Sequence, residues 1–385
     1  MRKKVYIGDL GTVVTGKTPS KSNKAFYGDY ALFLKPTDIS ECCKFTYKTE
    51  EMFSQLAAEK FGSSLIPKGA ICIPCIGTIG TKMTMSHCDC YTNQSINSII
   101  CNENYDNEYV YYLMKNFLPN LKSYNLGTAS GREFISKSNF EKIEIIAEQD
   151  IPTQQRIATI LFRYDSLIEN YQKQIKLLEE SAQRLYKEWF IDLRFPGHEN
   201  TKIVNGVPEG WEKKCVDSIY SIKYGKNLST KLIEEKGDYP VYGANGVIGY
   251  YSEANCNEQV VLITSRGNGS GDVLMTYHKE AFITNNSFIV TPLEEYLYCQ
   301  LPFTYQFLKC ANFRNVRTGA AQPQLTNQSI HTIDVILPTK DVIVEFCKKT
   351  DSNNSLIINL KKDIHHLTEA RDRLLPKLMS GEIEV

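Results

Sequence analysis

The 385-residue sequence carries no charge surplus of either sign: 44 Lys and Arg balance 44 Asp and Glu. A tight, sequence-blind nucleic-acid binder shows a basic excess, so any DNA binding here must come from local patches or from partners. No apolar run approaches the roughly 20 residues of a membrane span, and Met1-Arg-Lys-Lys-Val leads into no apolar signal core. A cytoplasmic protein without membrane contact is expected. The twelve Cys are scattered along a long chain, which favours reduced, mostly buried thiols over a disulfide framework. The six His are scattered as well. Glu179-Glu180 and Glu234-Glu235 read as solvated surface, and His365-His366 as packing or surface residues. No Gly-rich turn opens a dinucleotide-binding helix, and no Asn-Pro-Pro-aromatic motif for base methylation is present. No catalytic constellation results, and neither a cofactor nor a metal is expected on this chain.

What the sequence does have is repetition. Adding 189 to the numbers of Ser166, Asn170, Ile175, Leu178, Arg184 and Leu185 gives Ser355, Asn359, Ile364, Leu367, Arg373 and Leu374, and Trp189 falls on Leu378. A period near half the chain length means two copies of one plan. Both copies carry a long amphipathic pattern. Ile157, Ile160, Tyr164, Leu167, Tyr171, Ile175, Leu178, Ala182, Leu185 and Trp189 alternate by threes and fours, as in a coiled-coil seam. Ile357, Leu360, Ile364, Leu367, Leu374 and Leu378 repeat the phase, with one polar intrusion at Arg371. Each seam is the other's most available partner, with Ile157, Tyr164, Tyr171, Leu178, Leu185, Leu360, Leu367 and Leu374 as the representative contact positions.

The length suits two domains plus connecting elements. A first mixed block is read over 1–150, a first helical region over 151–195, a second mixed block over 196–340 and a second helical region over 341–385. Phe195-Pro-Gly-His and Gly206-Val-Pro-Glu-Gly-Trp211 punctuate the middle boundary. The mixed blocks repeat more loosely. Gly16-Lys17 answers Gly225-Lys226, and the apolar strand from Ile71 into Gly77 and Gly80 answers the one from Val260 into Gly267 and Gly269. Thr92-Asn-Gln-Ser95 answers Thr284-Asn-Asn-Ser287, and Thr128-Ala-Ser-Gly-Arg132 answers Thr318-Gly-Ala-Ala-Gln322. One scaffold with two sets of polar loop residues is what two recognition modules of different specificity need.

Two motifs imitate other sites. Gly11-Thr-Val-Val-Thr-Gly16-Lys17-Thr18 matches the phosphate loop G-x-x-x-x-G-K-[ST], but Pro19-Ser20 follows with no helical periodicity behind it, and the second copy loses the first Gly and the Thr. A nucleotide hydrolase therefore stays as an alternative that needs a helix at Lys17. Cys72, Cys75, His87, Cys88 and Cys90 have spacings near those of zinc ribbons. Cys72 lies in an apolar run and the second half has no equivalent thiols, so buried strand cysteines are the plainer reading.

The remaining polar loop chemistry suits DNA. Arg grips guanine bidentately, Asn and Gln grip adenine, and Lys, Ser and Thr fit phosphates or mixed contacts. The candidates are Lys17, Thr78, Lys82, Asn93, Gln94, Ser130 and Arg132 in the first block. In the second they are Lys226, Arg266, Asn268, Asn285, Asn286, Arg314, Arg317, Gln322 and Gln324.

The chain resembles the specificity subunit of type I restriction-modification systems over essentially its full length. The likeness rests on Thr15-Gly-Lys-Thr-Pro-Ser20, Gln154-Gln-Arg-Ile-Ala158, Gly206-Val-Pro-Glu-Gly-Trp211, Arg317-Thr-Gly-Ala-Ala-Gln-Pro-Gln-Leu-Thr326 and Arg373-Leu-Leu-Pro-Lys-Leu-Met-Ser-Gly-Glu-Ile383, in that order. The resemblance implies an α+β fold: two target recognition domains in pseudo-twofold arrangement, joined by two long antiparallel coiled-coil helices. Each domain would read one half of a split double-stranded DNA sequence, unlike halves being expected from unlike domains, and the helices would set the spacer. Two methyltransferase subunits would dock on the helices and restriction subunits would join them. S-adenosylmethionine, Mg and ATP would be used only in those partners, leaving this subunit without catalysis of its own. The first module departs from the family pattern in lacking a Pro-x-Gly-Trp opening and in having Thr128–Arg132 where the second has a Gln-Pro loop. The recognition subunit of a fused-enzyme restriction system, and a coiled-coil adaptor without DNA function, are the other readings.

Overall fold

A computed structural model describes the chain except residues 41–42, 126, 128–132, 320–322 and 332. The chain divides into two compact units, Met1–Asn170 with Ile364–Val385, and Tyr171–Asp363.

The first unit contains three sheets. Arg2–Tyr6 pairs antiparallel with Glu144–Glu148. A four-stranded sheet has the order Gly11–Thr15, Ile96–Cys101, Ile71–Pro74, Thr84–Met85. A three-stranded sheet has the order Met52–Phe53, Tyr27–Leu34, Cys90–Thr92, its last pair parallel. The strand Ile71–Pro74 is buried throughout, as the apolar run requires. Helix α1 (Asn107–Phe117) starts where Asp106 accepts a hydrogen bond from the Tyr109 amide at 2.9 Å. It covers the four-stranded sheet with Tyr109, Val110, Leu113 and Met114, which share a core with Ile71, Ile73 and Ile99.

The second unit repeats this plan and adds a two-stranded sheet of Ile203–Val204 and Val207–Pro208. Glu212–Cys215 pairs antiparallel with Asp334–Leu337. Tyr220–Tyr224, Ser287–Pro292, Val261–Thr264 and Val273–Met275 form the four-stranded sheet. Gly246–Tyr251, Tyr239–Gly243 and Phe282–Ile283 form the three-stranded one, again with its last pair parallel. The fold is thus mixed α+β, and the loose repeat in the mixed blocks corresponds to a repeated topology.

The helical regions are equally regular. Helix α2 (Ile151–Tyr186) has 36 residues, with Asp150 accepting from the Thr153 amide at 3.0 Å and its hydroxyl at 2.6 Å. A π-helical turn, Lys187–Ile191, continues it. Helix α3 (Leu301–Cys310) takes in the second unit the place of α1. Helix α4 (Lys340–Ser380) has 41 residues and tolerates Pro376 near its end. Within the first unit Asp165 pairs with Arg371 at 2.5 Å, and within the second Glu179 pairs with Lys361 at 3.7 Å. Within the second unit Tyr186 also meets Phe346, so numbers rise along one helix as they fall along the other and the two segments there run antiparallel.

Of the predicted contact positions, Ile157 and Leu360 are buried, while Tyr164, Tyr171, Leu178, Leu185, Leu367 and Leu374 are half-buried. One position of the apolar row shifts: Leu167 is 39% exposed and its neighbour Ile168 only 5%. Adjacent apolar residues leave the phase of such a row open by one position, and tertiary packing selects between them. Gln154, fully buried, ties the helix start to its surroundings. Its side chain accepts from the Asp106 amide at 2.8 Å and donates to the Glu148 carbonyl at 2.9 Å and the Asn104 carbonyl at 3.2 Å. No helix among the described residues is long and apolar enough to cross a membrane.

Candidate nucleic-acid interface

In the second unit four loops meet through their backbones. Beyond Val261–Thr264 the chain turns at Gly267, whose φ of 83° suits glycine. The Gly267 amide donates to the Pro323 carbonyl at 3.0 Å, the Leu325 amide to the Ser265 carbonyl at 2.7 Å, and Thr318 and Gln324 exchange two bonds of 2.9 Å. The Ser265 amide donates to the Asn286 carbonyl at 2.8 Å, the Asn285 amide to the Lys226 carbonyl at 3.0 Å, and the Lys226 amide to the Ile283 carbonyl at 2.9 Å. Lys226, Arg266, Asn268, Asn285, Asn286, Arg317 and Gln324 therefore stand on one connected platform.

Their side chains differ in freedom. Arg314 spends Nε and Nη2 on one oxygen of Asp272, at 2.9 and 2.6 Å, so its charge is neutralised on the platform. Arg317 is held by the Arg314 carbonyl at 3.0 Å and the Asn268 carbonyl at 3.4 Å, which fixes its plane without cancelling its charge. Lys226 and Arg266 are exposed. Gln322 lies outside the described residues.

The first unit builds the same platform. The Cys75 amide donates to the Ser95 carbonyl at 2.7 Å, the Gly77 amide to the Glu133 carbonyl at 3.1 Å, and the Ile135 amide to the Cys75 carbonyl at 2.9 Å. The Lys17 amide donates to the Thr92 carbonyl at 3.0 Å, and the Asn93 amide to the Leu34 carbonyl at 3.0 Å. Gln94 accepts from the Thr18 hydroxyl, and Lys17 Nζ reaches Ser63 Oγ at 3.4 Å. Thr78 Oγ1 is buried without a hydrogen-bond partner and Lys82 is half-buried. Ser130 and Arg132 lie outside the described residues. Among the described residues, the first platform offers fewer cationic side chains than the second.

Gly16 and Gly225 have a role the phosphate-loop motif does not describe. A Cβ at Gly16 would stand 2.1 Å from the Thr92 carbonyl oxygen, and one at Gly225 would stand 2.3 Å from that of Thr284. Both glycines let two platform loops touch. Gly11–Thr15 is an antiparallel strand and no helix begins at Lys17, which overturns the nucleotide-hydrolase alternative. The zinc reading fails for a related reason. Cys72, Cys75 and Cys90 are buried in strands or at their ends, His87 packs at a tilt against Tyr47 with ring centroids 4.8 Å apart, and burial pushes the Cys75 thiol up to about 12, away from the thiolate a metal needs. Among the described residues no group of three or more His, Cys, Asp or Glu is placed to hold a metal ion.

Two contributors escaped sequence reasoning. Asn125 Oδ1 accepts from the Gly127 amide at 2.9 Å and the Phe134 amide at 2.8 Å, closing the base of a first-unit loop. Its signal was the Asn-x-Gly turn. Asp272 had no local signal, because its partner Arg314 lies 42 residues away.

The platforms and helices coincide with a known family. The family model described as "Type I restriction modification DNA specificity domain" matches residues 2–180 and 208–366. The chain is 27% identical over 410 residues to the type I restriction enzyme MjaIX specificity subunit of Methanocaldococcus jannaschii, covering 98% of this chain and 93% of that one. It is 38% identical over 143 residues to the HindI specificity subunit of Haemophilus influenzae, covering 36% and 30%. The crystal structure of a type I S subunit from M. genitalium matches with a TM-score of 0.56 at 19% identity, over 98% of this chain and 96% of that one, a likeness of fold. The two-, four- and three-stranded sheets shared by both units fall inside the matched segments, and the chain belongs to the type I restriction-modification DNA specificity family.

Proposed function

We propose that this chain reads DNA for a type I restriction-modification complex, with one half of a split sequence taken by each loop platform. The observation that carries the reading is the duplication itself: one backbone scaffold presents Lys17, Asn93 and Gln94 in one copy and Lys226, Arg266, Asn268, Asn285, Asn286, Arg317 and Gln324 in the other. Like scaffolds with unlike side chains suit unlike half-sites. Residues 1–150 and 196–340 are the recognition domains in this reading, and 151–195 and 341–385 the helical regions that set the spacer and dock two methyltransferase subunits. Restriction subunits join that core. The chain itself is non-catalytic and cytoplasmic, and S-adenosylmethionine, Mg and ATP serve the partners only. A neutral chain then gains its grip on phosphate from local cations and from the surrounding subunits.

Inserting four residues near the end of α2 adds about one helical turn. The tolerated spacer is expected to lengthen while both half-sites stay the same. An altered half-site with an unchanged spacer refutes the ruler role.

A further inference from the structure

The two units differ at one buried node. In the first, Asp165 of α2 receives the Tyr112 hydroxyl of α1 at 2.7 Å and Nη1 of Arg371 from α4 at 2.5 Å, with Lys115 Nζ at 4.0 Å. Arg371 is 8% exposed and also holds Asp372 at 2.7 Å. The polar intrusion in the second apolar row is thus a cross-helix ion pair.

The internal repeat identifies the matching positions in the second unit. The offset of 189 carries Asp165 to Asn354 and returns Arg371 to Ala182. Helices α1 and α3 align through Tyr111 and Tyr305, each with a Lys four residues later over its ring, at 5.8 and 5.3 Å. That alignment makes Gln306 the counterpart of Tyr112. Ala182, Asn354 and Gln306 all line one pocket of the second unit, together with Glu179 and Asn353. Gln306 is 5% exposed, and its amide makes no hydrogen bond among the described residues. The space opens because Ala182 stops where Arg371 extends in the first unit.

We propose that this pocket takes a guanidinium group: the arginine side chain of a docked methyltransferase subunit, supplied in trans where the first unit supplies Arg371 in cis. The choice of partner rests on the function proposed above. The amide oxygens of Gln306 and Asn354 and the Glu179 carboxylate, which holds Lys361 only at 3.7 Å, give a planar five-donor group several acceptors. An ammonium group has neither the plane nor the donor fork.

The test uses the full chain, 15N-labelled, with its side-chain amide signals followed during titration by ethylguanidinium and, at equal ionic strength, ethylammonium. Saturable shifts of Gln306 and Asn354 with ethylguanidinium are expected, at least tenfold weaker with ethylammonium and abolished in Ala182→Arg, which fills the pocket from within. Ala182→Met, an uncharged filling, must abolish them too and guards against a misfolded Arg variant. No saturable shift, or equal shifts with both cations, overturns the site. Binding of the chain to its methyltransferase subunit, measured by surface plasmon resonance, is expected to weaken at least tenfold in Ala182→Arg and to survive in Ala182→Ser. Unchanged binding in Ala182→Arg overturns the partner as the source, even with ethylguanidinium bound. A wild-type chain that takes ethylguanidinium but binds no methyltransferase subunit contradicts the proposed function instead.

Discussion

Replacing Arg371 with Ala tests how the first unit is held together. The substitution removes a guanidinium that is 8% exposed and leaves Asp165 with the Tyr112 hydroxyl and the more distant Lys115. Breaking a buried ion pair from one side costs about 3–5 kcal/mol, because the remaining charge stays desolvated. In a unit of this size each kcal/mol moves the melting temperature by about 2–4 °C, so a drop of about 6–20 °C is expected. Replacing Arg371, Asp165 and Lys115 together by Met, Leu and Met should restore most of the loss, since no unpaired charge is left behind. Scanning calorimetry of the three proteins provides the comparison. A loss below about 1 kcal/mol in the single variant, the range of an exposed pair, refutes the claim that the node is buried and energetically important. So does a triple variant as unstable as the single one.

The same node predicts a pH effect. Burial pushes the Asp165 carboxyl up, but Lys115, Arg371 and the Tyr112 hydroxyl outweigh it and hold the group below its ordinary 3.8. A depressed folded-state pKa stabilises above the ordinary value and is lost as pH falls through the depressed one. Asp165→Asn should therefore flatten the stability slope below about pH 4, and an unchanged acid limb in urea titrations contradicts this. Gly225→Ala puts a Cβ 2.3 Å from the Thr284 carbonyl; a cost of about 1–3 kcal/mol and a displaced loop pair are expected, and a wild-type melting curve argues against the close approach. Arg266→Gln should cost about 1–3 kcal/mol at one base pair and relax specificity there, whereas Lys226→Ala should weaken all sequences alike and flatten the salt dependence. Competition binding of the assembled complex on DNA variants separates the two, and an interchange of these effects reverses the assigned roles. Replacing Arg266, Arg317 and Gln322 together without changing any activity of the assembly favours the adaptor reading.

The repeat, the order of loops and strands, and both long helices were legible because each leaves a periodic trace. The identity of Ser166 with Ser355 or Arg184 with Arg373 needs no tertiary information. Buried strands such as Ile71–Pro74 announce themselves by composition. What stayed hidden depends on distant contacts. Arg371 read as a flaw in the apolar row until Asp165, 206 residues away, supplied its partner. Gly16 falls in a phosphate-loop motif, although its actual constraint is the carbonyl of Thr92. In the second unit the order of residues pairs Gly269 with Gly80, yet the residue sharing Gly80's positive φ is Gly271. Among the loop cations, sequence gave no means of separating Arg314, spent on Asp272, from the exposed Arg266.

The most direct test of a two-platform reader is to co-express the chain with its methyltransferase subunit and map methylated bases genome-wide by single-molecule sequencing. The account predicts one split motif with two unlike halves separated by a fixed unread spacer. A soluble, active complex that methylates a continuous or symmetric sequence, or no defined sequence, would contradict it.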